Sequence, residues 1–81
     1  MAEHPVKRSI TINGHRTSIS LETAFWDGLN NLAKKNNQSI SELVEKIDHN
    51  RGRAGLSSAI RIHILKTLQD EIRALKSKLA K

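Results

Sequence analysis

The dipeptide Asn13-Gly14 stands between two stretches of alternating apolar and polar residues, RSITI at 8–12 and RTSISL at 16–21. Asparagine and glycine tolerate the positive backbone angles that a two-residue hairpin turn demands. A period of two rich in β-branched residues marks half-buried strands. Residues of about 8–21 are therefore expected to form a short N-terminal β-ribbon. A second arrangement fits the same residues: only the strand 16–21 is ordered, paired with the same strand of another copy, while residues 1–12 form an arm. In either case Thr17, Ile19 and Leu21 share one face of the strand and Arg16, Ser18 and Ser20 the other.

From Leu21 onward the period lengthens. Phe25, Leu29, Leu32 and Ala33 fall on one face of a helix expected at about 22–35, with Trp26 at the edge of that stripe. The polar segment Asn36-Asn37-Gln38 interrupts it. Ser39 followed by Glu42 is a capping box that starts a second helix at about 39–50, with Ile40, Leu43, Val44 and Ile47 on its apolar face. After the loop RGRAG, a third helix is expected at about 56–79, with Ser57 or Ser58 available to cap it. Ile60, Ile62, Ile64 and Leu65 spread over more than one face of its first half, so this half needs two neighbours. In its second half Leu65, Leu68, Ile72, Leu75 and Leu79 recur at three and four residues. That spacing fits a coiled-coil seam of about two heptads; equally, the leucines could pack back on their own chain. The fold class expected is mainly α with a short β-ribbon, in one domain over residues 1–81.

At 81 residues the chain buries a small fraction of its surface, and without cysteine it has neither disulfides nor thiolate metal sites to compensate. Four scattered histidines make a poor zinc site, so no metal or cofactor is expected. Oligomerisation is the remaining stabiliser for so small a domain. No stretch approaches the roughly eighteen consecutive apolar residues of a membrane span, and the N-terminus has no signal-peptide core. A cytoplasmic protein with no membrane partner is expected.

Fourteen Lys and Arg against eight Asp and Glu give a formal net charge of +6. Residues 1–21 carry three positive and one negative charge, residues 22–50 three and five, and residues 51–81 eight and two. Such a field attracts polyanions, although a basic surface kept for solubility has the same composition. Placement raises the odds. A two-stranded ribbon fits the major groove of DNA, where an arginine donates twice to guanine and hydroxyls either donate to or accept from base edges. Arg16, Ser18 and Ser20 are the candidate base contacts, against the plain alternative of a solvated strand face.

The order of strand, helix, polar turn and Ser-capped helix resembles the ribbon-helix-helix family. The match is closest to a small bacterial subgroup with the NG turn, the run HRTSISLE and an aromatic-bearing first helix, here FWDGL at 25–29. NNQSISELVEKI resembles the family's inter-helix turn and second helix, and LSSAIRIHIL resembles the subgroup's tail. The resemblance covers about residues 7–68. It implies a homodimer whose outward strand residues, here Arg16, Ser18 and Ser20, touch bases; the expected fold is this ribbon-helix-helix-like homodimer with an additional C-terminal helix. It also implies that the second helix N-terminus, around Gln38, Ser39 and Ile40, grips a phosphate, a role that unpaired amides and the helix dipole support independently. Two departures stand out: Asn37 occupies the position where the family usually has glycine, and the minimal fold lacks the third helix.

Lys7 and Arg8 before the ribbon are candidate phosphate contacts or solubilising charges, and Arg51 and Arg53 touch the backbone or only decorate a loop. His15 is read as a polar turn residue. Thr17, Ile19, Leu21, Phe25, Trp26, Leu29, Leu43 and Ile47 are the expected dimer core, with base stacking the alternative for Trp26. No paired carboxylates, activated nucleophile or phosphate loop appears, so no enzyme is expected. The function expected is sequence-specific binding of double-stranded DNA by a repressor. The alternatives are an antitoxin-type DNA-binding partner of a toxin, and a protein-interaction or oligomerisation module. The third helix is a candidate for tetramer formation or for a protein partner.

Overall fold

A computed structural model describes residues 3–80. In chain order it contains β1 (Val6–Ile12), β2 (His15–Leu21), α1 (Thr23–Lys35), α2 (Ile40–Asn50) and α3 (Leu56–Leu79). The strands form an antiparallel hairpin with Ile12 opposite His15 and Val6 opposite Leu21. Asn13 at φ 51° and Gly14 at φ 80° make the turn, both in the left-handed region that matches the twist of the flanking strands. Residues 6–12 are thus a paired strand and not an arm, and the ribbon starts two residues before the alternation indicates. Its inner face buries Ile10, Ile12, Ile19 and Leu21.

Helix α1 presents Leu29, Leu32 and Ala33 to the core, with Phe25 and Trp26 half-buried against it. It ends in a Schellman motif. Asn37 adopts φ 53°, the Gln38 amide donates to the Ala33 carbonyl at 2.8 Å, and the Asn37 amide donates to that of Lys34 at 3.1 Å. Asparagine therefore fills the left-handed position in place of glycine. Helix α2 begins with the complete capping box of Ser39 and Glu42 and buries Leu43, Val44 and Ile47.

Helix α3 packs against α1, α2 and β2. It completes the core with Ile60 and Ile64, whereas Ile62 and Leu65, on the other faces of its apolar first half, stay 47 % and 54 % exposed. A Cβ placed on Gly28 of α1 would lie 3.5 Å from Cγ2 of Ile64, an ordinary contact that marks where α1 and α3 approach. Neither Ser57 nor Ser58 caps α3: its N-cap is Gly55, with no side-chain bond. Ser57 is instead directed at β2, because α3 starts beside that strand's outer edge. The distal leucines do not fold back. Leu65, Leu68, Ile72, Leu75 and Leu79 are 45–84 % exposed.

Of the expected dimer-core residues, Ile19, Leu21, Leu29, Leu43 and Ile47 are buried within the single chain, Phe25 and Trp26 are half-buried, and Thr17 is exposed. One copy thus already closes a core of its own.

Candidate nucleic-acid interface

The hairpin register brings six polar side chains onto one face. Lys7 lies opposite Ser20, Ser9 opposite Ser18, and Thr11 opposite Arg16, and all six are exposed. Directly paired residues share a face, so this surface carries two cations and four hydroxyls and no carboxylate. Arg16, Ser18 and Ser20 were expected on it. Ser9 and Thr11 were not, although the alternation of RSITI around Ile10 and Ile12 carried the signal once the turn fixed the register.

A two-residue turn also fixes which backbone groups face outward. Ile12–His15 is a hydrogen-bonded pair, so on β2 the N–H and C=O groups of Arg16, Ser18 and Ser20 point away from β1. At Ser20 they are already engaged. Its N–H donates to Ser57 Oγ at 3.3 Å, and its C=O accepts from Arg61 Nη2 at 3.4 Å. Arg61 is held in turn by Glu22, with Nε to Oε1 at 2.9 Å and Nη2 to Oε2 at 3.3 Å, and its guanidinium lies 5.9 Å from the centre of the Phe25 ring. The Arg61 hydrogen bonds hold the Glu22 carboxyl below the usual glutamate range. The β2 edge that stays open is the stretch Arg16–Ser18.

The two cations before the ribbon separate. Lys7 joins the polar face. Arg8 lies on the inner face, partly buried, with its guanidinium 4.9 Å from the Trp26 ring centre and Nη2 donating to Thr23 Oγ1 at 3.3 Å. Trp26 is thereby stacked by a cation of its own chain.

The N-terminus of α2 lies beside the ribbon. A cleft of about 300 Å³ is lined by Ser9, Ile10, Thr11, Arg16, Trp26, Ile40 and Ser41. Of the amides expected to face a phosphate, that of Gln38 is spent on Ala33, and that of Ser39 donates to Glu42 Oε1 at 2.9 Å. The Glu42 amide donates to Ser39 Oγ at 3.0 Å. The unpaired donors at this end are therefore the Ile40 amide, which was expected, and that of Ser41, which was not. The Ser39 N–H keeps the Glu42 carboxyl below its ordinary range. The hairpin turn is tied to α2, since the Asn13 amide donates to Glu45 Oε2 at 2.9 Å.

Arg51 builds the α2–α3 loop: Nε meets Asp48 Oδ1 at 2.6 Å, and Nη1 donates to the Ala54 carbonyl. Arg53 is exposed. A second cleft, of about 350 Å³, lies between α2 and α3 with Lys46, Arg51, His63 and Lys66 around Ile47, Ala59 and Ile62. Burial, aided by the charge of Lys46, lowers the His63 pKa. Among the described residues no three His, Asp or Glu side chains group to hold a metal ion, and no helix is long and apolar enough to cross a membrane.

A β-ribbon with an exposed polar face, followed by a helix pair whose second N-terminus borders it, defines a ribbon-and-helix DNA-binding architecture. The family model described as "Ribbon-helix-helix domain" matches residues 5–68, and the chain belongs to that family, whose domains are non-catalytic DNA-binding modules with a general regulatory role. No match was found among curated proteins or among solved structures.

Proposed function

We propose that this chain is a sequence-specific regulator that inserts its β-ribbon into the major groove as a homodimer and represses a promoter by occupancy. The observation that carries this reading is the carboxylate-free outer face of the hairpin, bordered by the Ile40 and Ser41 amides. Arg16, Ser18 and Ser20 are the base-reading residues, joined across the hairpin by Ser9 and Thr11. Lys7 and the α2 N-terminus hold phosphates, which position the protein without choosing the sequence. The NG hairpin and the HRTSISLE run support membership of the bacterial subgroup, and a DNA target sets its work in the cytoplasm.

The open stretch of β2 suggests how two copies meet. With Ser20 engaged by α3, an antiparallel pairing centred on Thr17 hydrogen-bonds Arg16 of each copy with Ser18 of the other. The two Thr17 side chains, exposed on the inner face of a lone chain, then cover one another at the axis.

The test is selection from randomised duplex DNA at near-physiological salt, comparing the wild type with Arg16→Ala/Ser18→Ala. The expected result is a short, roughly palindromic site for the wild type and only weak, salt-sensitive binding for the variant. Equal enrichment by both proteins, or none by either, refutes the assignment.

A further inference from the structure

Every described residue of α3 after Glu71 is exposed, including Ile72, Leu75 and Leu79. The apolar stripe they form with Leu65 and Leu68 continues toward the helix N-terminus through Arg61, four residues before Leu65, and Ser57, four before that. These are the two side chains that reach Ser20 on the outer edge of β2. Residues three and four apart share a helix face, so the seam looks toward the side of the molecule on which β2 is open.

We propose that a second copy of this chain covers the seam, the two α3 helices forming a parallel, in-register, two-stranded coiled coil that prolongs the ribbon interface. The inference rests on the dimeric reading above for the side on which the partner sits, and not on DNA binding. Leu68 and Leu75 occupy d positions, with Ile72 at the central a position, a pattern that favours two strands. In register, Leu65, Leu68, Ile72, Leu75 and Leu79 each meet their own equivalent. An antiparallel pairing that stacks Ile72 on Leu75 and Leu68 on Leu79 leaves Leu65 without a partner.

Charge agrees with the parallel arrangement. Glu71 falls at g and Lys76 at e, so Glu71 of each copy lies opposite Lys76 of the other. Within the chain Glu71 already accepts from Lys35 at 2.5 Å through Oε1, which leaves Oε2 for the second cation. The family match ends at Leu68, so Ile72, Leu75 and Leu79 of the seam lie beyond the matched residues. About two heptads are too short to associate alone; continuity with a contact at β2 is what makes so short a coil sufficient.

The chain contains no cysteine, which permits a direct test on the full-length protein. Leu79→Cys places one thiol in the seam and Ser77→Cys one on the opposite side. Parallel pairing sets the two Leu79→Cys thiols side by side, whereas the antiparallel pairing separates them by about 16 Å along the axis. On mild oxidation Leu79→Cys should form a disulfide-linked dimer at least about tenfold faster than Ser77→Cys. Adding Ile72→Asp should erase that difference and raise the dimer dissociation constant in sedimentation on the order of 100-fold. Ile72 is half exposed in the single chain, so this variant should keep its circular dichroism. Glu71→Lys should weaken the dimer, and Glu71→Lys/Lys76→Glu should restore it.

Equal cross-linking rates, preferential linkage of Leu79→Cys to Leu68→Cys, or sedimentation as a monomer at all concentrations would overturn the proposal. A linked dimer that selects no DNA site would refute the regulator reading and leave the coil standing. Site selection without linkage would do the reverse.

Discussion

Replacing Ile60 with alanine tests whether α3 is part of the domain or an appendage to a ribbon and two helices. Ile60 is completely buried. Removing three side-chain carbons forfeits about 2.4 kcal/mol of transfer free energy at roughly 0.8 kcal/mol each. The cavity left between packed elements adds to that, giving a loss of about 3–4 kcal/mol. A domain of this size is stabilised by roughly 4–12 kcal/mol in all, so the variant should melt about 15–25 °C lower. Urea unfolding at fixed protein concentration, followed in parallel by circular dichroism and by fluorescence of Trp26, is the assay. Trp26 is the only tryptophan and lies against Arg8 of β1, so it reports on the hairpin and α1. If α3 is integral, both signals shift together. Leu75→Ala, at a position 59 % exposed, should shift neither by more than about 0.5 kcal/mol in dilute monomer. A loss below about 1 kcal/mol for Ile60→Ala, or a helical signal that melts while Trp26 fluorescence holds, would refute the reasoning.

Other outcomes follow from the same contacts. Gly28→Ala should stabilise the chain by about 0.5–1 kcal/mol in urea titration, because the added methyl meets Ile64 at an ordinary distance while the helix gains propensity; destabilisation would show that α1 and α3 lie closer than described. Stability should fall with acidification in two stages. A His63 pKa lowered by folding means that the unfolded chain takes up its proton first, so stability declines as pH drops below the ordinary histidine value and levels off once folded His63 also titrates. The depressed Glu22 and Glu42 carboxyls add a second decline as pH falls from the ordinary glutamate range through their lower folded values. In a pH series of melting temperatures, His63→Asn should remove the first stage alone. Finally, Lys7→Ala should reduce the salt slope of DNA binding by about one, whereas Arg8→Ala should leave the slope unchanged and alter Trp26 fluorescence.

Local chemistry made most of the fold legible. The Asn13-Gly14 turn, the Ser39–Glu42 box and the change from period two to a helical period each depend on residues close in sequence, and each is where the pattern put it. What was illegible depends on partners distant in the chain. Ser57 looks like a helix cap until β2 is seen beside α3, and Arg8 looks like a companion of Lys7 until Trp26 lies under it. Arg61, an unremarkable cation on an apolar helix, becomes a bracket between Glu22 and the Ser20 carbonyl only when residues about 40 positions apart come together. At the candidate interface the outward residues of β2 follow from alternation. The partition of amides at the α2 N-terminus does not, because Schellman and capping-box bonds consume the two amides that lie nearest in sequence.

The engagement of Ser20 by Ser57 and Arg61 has a consequence for assembly size. A bare hairpin has two ladders of unsatisfied backbone groups, and each newly added strand would expose another, so unchecked pairing grows without limit. Here one end of the β2 ladder is spent inside the chain, and what is left at Arg16–Ser18 is short and self-complementary. On the homodimer reading, a second copy that pairs there leaves nothing of the β2 edge for a third, so growth through this edge stops at two protomers, limited by the same contact that fastens the last helix.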